Sequence, residues 1–159
     1  MALRPHQRIP RITALDLDAL RTMGITCLVL DIDNTLVPWE SSAVAPDILA
    51  WVRALPEQGF AACILSNNTR KRVQPVQELL DIPAFCWAAK PFGPGFFRLM
   101  KTLGWKRHQV AVVGDQLMTD ILGGQLHKLH TVLVQPLSAH EMGFTKLVRK
   151  VERRLLKEQ

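Results

Sequence analysis

No apolar stretch of this chain approaches the ~20 residues that a helix needs to cross a bilayer. The lead-in "MALRPHQRIPRITALDLDAL" carries basic residues but no continuous apolar run, so it does not read as a secretory signal. Cysteine is scarce and odd in number, with Cys27, Cys63 and Cys86 each set inside an apolar segment. That pattern excludes a disulfide framework and a cysteine metal cluster, and reads as reduced core thiols of a cytoplasmic-type protein. Internal repeats are lacking. The nine glycines and ten prolines are spread along the chain, which excludes a low-complexity or disordered reading.

What is present fits one domain. At 159 residues the chain can bury one sizeable core but not two. We read residues 1–159 as a single domain with its core at about 25–137. A net charge of +6 suits a polyanion, an anionic membrane surface or a phosphorylated substrate, and equally a merely basic surface.

Short runs rich in Val, Ile, Leu and Cys at 27–32, 60–66, 84–89, 110–115 and 131–136 predict buried parallel strands. Between them, 45–58, 70–80, 94–103 and 119–128 carry apolar residues at helical spacing. Further helices are expected at 15–23 and 142–157. Pro46 and Pro94 suit helix starts, and Gly59 and Gly104 suit helix exits. Alternation of this kind predicts an α/β fold, a mainly parallel sheet with helices on both faces.

Polar residues collect where these strands end, which is where open α/β sheets place their chemistry. In "LVLDIDNTLVPW" an apolar run leads straight into Asp31 and Asp33. Two carboxylates around one centre can divide the work of phosphoryl transfer, one attacking phosphorus and one moving the proton; the same pair also serves as an Asx turn. "ILSNN" offers the Ser66 hydroxyl and the amides that follow it, Asn67 among them, to phosphoryl oxygens, or else caps the next helix. Lys90 offers a compact cation to a phosphoryl group or to the nucleophile, and otherwise is a surface lysine. "VVGDQLMTD" adds Asp115 and Asp120, hard oxygen ligands of the type Mg²⁺ prefers, although Asp120 also reads as a helix cap.

The order of these four stations resembles the haloacid-dehalogenase (HAD) superfamily of phosphohydrolases over residues 28–136. The carrying motifs are Asp31-Ile32-Asp33-Asn34-Thr35, Ser66, Lys90 and the Gly114-to-Asp120 stretch. The resemblance implies a three-layer Rossmann-like fold, Asp31 as nucleophile and Asp33 as acid and base. It also implies Mg²⁺ held by Asp31, the Asp33 carbonyl and Asp115, with Asp120 in support.

The intervals from Asp33 to Ser66 and from Ser66 to Lys90 each hold only a helix and a strand, which leaves no room for a cap domain over the site. An uncovered site suits a substrate too large to engulf, or else one covered by oligomerisation. With "AAKPFGPGF", "GDQLMTDILGGQ" and "QPLS", the chain is similar to the capless YqeG-type branch, subfamily IIIA, related to mitochondrial and plant phosphatidylglycerophosphate phosphatases. That resemblance implies dephosphorylation of phosphatidylglycerophosphate to phosphatidylglycerol.

A phospholipid headgroup phosphate is therefore the expected substrate, with peripheral contact on the inner face of an anionic membrane and no obligate nucleic acid. The segment "FTKLVRKVERRLLKEQ" sets six Lys/Arg against two Glu with apolar residues at helical spacing, as a lipid-lying helix or a packing helix does. Trp39 reads either as a lipid contact at the site mouth or as a buried residue. His127 and His130 read as helix-end or surface residues, and Gly123-Gly124 as a close-packing pair. Two alternatives remain: the same chemistry on a soluble or nucleic-acid phosphate, and a basic nucleic-acid or ribosome adaptor without turnover.

Overall fold

The computed structural model describes residues 3–138. Six strands form one parallel sheet: β1 (Gln7–Ile9), β2 (Cys27–Leu30), β3 (Ala61–Leu65), β4 (Ala84–Phe85), β5 (Val110–Gly114) and β6 (His130–Val134). Their spatial order is β1-β6-β5-β2-β3-β4. The central strand is β2, with Leu30 level with Ile64 of β3 on one side and Val113 of β5 on the other. The chain winds outward from β2 through β3 to β4 and then returns to β5 on β2's other flank. The winding direction reverses between β2 and β5, and open α/β sheets bind their ligands at the carboxyl ends of the strands at such a point.

Alternation along the strands separates two cores. Leu28 and Leu30 of β2 face the larger one, with Leu17 and Leu20 of α1 (Leu17–Thr22), Ile48 and Val52 of α2 (Pro46–Ala54), and Val73, Val76 and Leu80 of α3 (Arg70–Leu80). Cys27 and Val29 face the other, with Cys63 of β3 and Phe96, Leu99 and Met100 of α4 (Gly95–Leu103). Side chains of period two sandwiched by helices of period 3.6 give three layers, as expected. Gly123 and Gly124 of α5 (Leu122–Leu126) pack on this second face: a Cβ on Gly123 would strike the Phe96 ring, and one on Gly124 would strike Thr131 and Val112. The pair therefore serves close packing.

Pro46 opens α2, Pro94 caps α4, and Gly59 and Gly104 close their turns at φ 82° and 70°. Three local expectations change. The lead-in supplies an edge strand, β1, which alternation did not reveal because only three residues pair with β6. The run 84–89 stays in the sheet only for Ala84–Phe85, since Trp87 and Ala89 take φ of 53° and 52° and turn the chain away. The 119–128 helix begins as a wide π turn at Leu117–Ile121 before tightening into α5. Cys27 and Cys63 are buried free thiols and Cys86 is half-buried. The expected helix at 142–157 lies outside the described residues. Among the described residues no helix is long and apolar enough to cross a membrane, and no cap is inserted.

Candidate active site

Asp31 follows directly on β2, Ser66 on β3 and Asp115 on β5, so a parallel sheet delivers all three to one edge. Lys90 arrives there by a different route, from the loop that leaves β4. All four are buried, as are Asp33 and Asp120. Burial of so many charges is unfavourable unless they are partnered, and Lys90, Asp31, Asp120 and Asp33 are held in two clusters.

The first cluster is built around the Lys90 ammonium. Its Nζ donates to Asp31 Oδ1 at 2.8 Å, to Asp120 Oδ1 at 2.6 Å and to the Leu65 carbonyl at 2.9 Å, which uses all three protons. Burial opposes the charge on Lys90, but Asp120 and Asp31 overcome it and raise the pKa, so the residue stays cationic. Burial and then Asp31 push the Asp120 carboxyl up to about 6, against the pull of Lys90. The other Asp120 oxygen accepts from the Gln116 amide at 3.2 Å. Gly114 makes this approach possible, because a Cβ there would run into the Asp120 carboxyl.

The Lys90 backbone is clamped as well. Its N–H donates to Asn67 Oδ1 at 2.7 Å, and its carbonyl accepts from Asn67 Nδ2 at 3.2 Å. The Asn67 side chain thus holds the Lys90 backbone at both its N–H and its carbonyl. Ser66 Oγ accepts from the Asn68 amide at 3.1 Å, which leaves its proton to donate.

The second cluster holds Asp33. One oxygen accepts from Arg72 Nη2 at 2.5 Å and the other from Asn68 Nδ2, while Arg72 Nη1 reaches Ser42 Oγ at 3.2 Å. Strand-end reasoning reaches Asn68 only as part of a helix cap and does not reach Arg72, which lies inside a predicted helix. One signal was available. Three cations, Arg70, Lys71 and Arg72, open α3 with no acid in its first turn, against the helix dipole.

Asn34 takes φ 60° and turns the chain back after Asp33. Its Oδ1 accepts from the Ser138 amide at 3.1 Å and the Ser138 hydroxyl at 2.6 Å, so the "QPLS" stretch buttresses the first motif. Trp39, half-buried, donates its backbone N–H to the same hydroxyl at 3.2 Å. His127 caps the end of α5, bonded to the Gly123 carbonyl. His130 is neither a helix-end nor a surface residue: it opens β6, half-buried and stacked on His6 with ring centroids 4.6 Å apart.

Carboxylate oxygens of Asp31, Asp115 and Asp120 lie within 4.8 Å of one another. Three acids against one ammonium leave a surplus of negative charge in a buried site, and an all-oxygen donor set is what a hard dication takes. The residues therefore fit Mg²⁺.

The sequence matches the family described as haloacid dehalogenase-like hydrolase over residues 7–127. The chain belongs to that family. This haloacid dehalogenase-like hydrolase is 35% identical over 152 residues to a Bacillus subtilis (strain 168) protein named "Probable phosphatase YqeG", covering 96% of this chain and 88% of that one. It is 32% identical to the chloroplastic phosphatidylglycerophosphate phosphatase 1 of Chlamydomonas reinhardtii, over 93% of this chain and 59% of that protein. Among solved structures, the cobalt-bound deoxy-D-mannose-octulosonate 8-phosphate phosphatase of Haemophilus influenzae superposes with a TM-score of 0.56 at 16% identity, covering 86% of this chain and 90% of that one. That likeness concerns the fold. By family and by relatives, the hydrolase is a phosphatase.

Proposed function

We propose that this phosphatase removes the terminal phosphate of phosphatidylglycerophosphate by way of an aspartyl-phosphate on Asp31. The observation that carries the chemistry is the pairing of Asp31 with Lys90 at 2.8 Å, beside an Asp33 held separately by Arg72 and Asn68. The substrate class is supported by the Chlamydomonas relative and by a site without a cap.

Asp31, fixed by Lys90, presents its other oxygen to phosphorus. The new O–P bond forms as the bond to the leaving alcohol breaks, and Asp33, after taking up a proton from solvent and releasing one of its two donors, passes that proton to the departing oxygen. Asp33 then takes a proton from water, which attacks phosphorus, frees inorganic phosphate and restores the Asp31 carboxylate. Lys90, the Ser66 hydroxyl and the amides beyond Ser66 balance charge on the phosphoryl oxygens. Mg²⁺, held by Asp31 and Asp115, would lower the repulsion between a carboxylate and a phosphate dianion. Asp120, engaged on both oxygens, positions Lys90.

The test is inorganic phosphate release with Mg²⁺ from phosphatidylglycerophosphate in mixed micelles, beside soluble phosphomonoesters, with Asp31→Asn as control. Preferential release from the lipid, abolished in the variant, is expected. Cleavage of soluble esters alone would remove the lipid substrate, and release that survives Asp31→Asn would remove the mechanism.

A further inference from the structure

Three large aromatic side chains stand out of the surface within the short stretch 87–97. Trp87 is 63% exposed, Phe92 81% and Phe97 61%, while their neighbours Ala88 and Phe96 are fully buried. A soluble surface seldom gathers such groups without a use for them. Their position is set by the sheet. Trp87 follows β4 at the carboxyl edge, and its amide donates to the Asn68 carbonyl at 3.1 Å, one residue's length from the Asn68 side chain that holds Asp33. Phe92 lies two residues beyond Lys90, in a turn closed by the Gly93 amide on the Ala89 carbonyl. Phe97 sits in the first turn of α4, the end nearest the same edge.

Cations surround the aromatics. Arg70, Trp87 and Arg98 line one groove, and the Arg98 guanidinium donates to the Cys86 carbonyl at 2.5 Å. Lys71 is exposed in the first turn of α3, next to Arg70. From Ser66 to Lys101 the acids are Glu78 and Asp81, both toward the far end of α3. Aromatic rings that enter the headgroup region, ringed by Lys and Arg, are the chemistry of a peripheral contact with anionic lipid. A two-fold contact between copies of this chain would instead bring like charges together.

We propose that Trp87, Phe92 and Phe97, with Arg70, Lys71 and Arg98, form the surface that docks this phosphatase on an anionic phospholipid bilayer and turns the Asp31 edge toward it. The inference rests on the reading that the substrate phosphate is borne on a lipid. It assigns membrane contact to the rim of the site rather than to residues 142–157.

The experiment is flotation of the full chain with vesicles of phosphatidylcholine alone and of phosphatidylcholine with phosphatidylglycerol. The wild type is compared with Phe92→Ser/Phe97→Gln and with Trp87→Asn, a residue suited to positive φ. The wild type is expected on the anionic vesicles only, with binding that weakens as salt rises. The double variant is expected to bind about tenfold more weakly or worse, with unchanged hydrolysis of p-nitrophenyl phosphate and slower release from vesicle-borne phosphatidylglycerophosphate. Undiminished vesicle binding in the variants would overturn the docking surface even if lipid in micelles is hydrolysed. Binding lost in the variants of an enzyme inactive on micellar lipid would uphold the surface and remove only the substrate reading. A dimer dissolved by the substitutions, or single-stranded RNA bound in place of vesicles, would overturn the proposal in favour of those partners.

Discussion

Arg72 and Gly114 carry consequences that their residue types alone do not suggest. Arg72 and Asn68 fix both oxygens of Asp33, so the group proposed to transfer the proton is aimed by a helix residue rather than by its own strand. Arg72→Gln is expected to lower kcat by up to about 10²-fold through misplacement of Asp33. The KM for a small soluble ester should move less, and steady-state kinetics on p-nitrophenyl phosphate would show the split. A KM effect alone would make Arg72 a substrate contact instead. Gly114→Ala places a methyl where the Asp120 carboxyl sits, which forces Asp120 and with it Lys90 out of position. Activity should fall at least tenfold, with stability lowered by about 1–3 kcal/mol in urea melts. Full activity in Gly114→Ala would show that the Lys90–Asp120 contact is dispensable.

At the scale of the element, the β1–β6 edge is held by a histidine pair. His6 Nδ1 accepts from the Thr131 amide at 3.1 Å, and its ring stacks on His130. Burial, and then His6, lower the His130 pKa to about 4, so the folded state keeps this ring neutral. The unfolded chain takes up the proton near the ordinary value of about 6.5. Stability from this site is therefore complete above about 6.5 and is lost as pH falls toward 4. Urea midpoints measured across that window should drop more steeply in the wild type than in His130→Asn. Parallel curves would show that the edge does not titrate. The exposed start of α3 and the solvent-facing side of α4 belong to this scale too, since both present cations where the aromatic rim meets the site.

The whole molecule is a scaffold that brings five buried charged residues and Ser66 to one end of a sheet. Asp31, Asp115, Asp120 and Lys90 together carry more negative than positive charge, so a bound dication stabilises the folded state by mass action. Mg²⁺ is expected to raise Tm with the logarithm of its concentration once that exceeds Kd, and Asp115→Asn to remove that rise. Chelation should abolish phosphate release, and added Mg²⁺ should restore it. A Tm indifferent to Mg²⁺ in the wild type would count against a resident metal.

Much of this was legible in the chain as written. Runs of Val, Ile and Leu ending in Asp31, Ser66 and Asp115 specify parallel strands and their reactive ends, because strand periodicity and helix spacing are local properties. The glycine pair was legible as packing for the same reason. Three things were decided only in the tertiary structure. The edge strand β1 exists because β6 offers it partners, and three residues are too few to announce themselves by pattern. The Asn67 clamp on Lys90 and the Arg72–Asn68 grip on Asp33 join segments far apart in sequence, which no local pattern encodes. The aromatic rim arises because Trp87 and Ala89 turn the chain out of the sheet at positive φ, so that a run resembling a buried strand delivers its tryptophan to solvent.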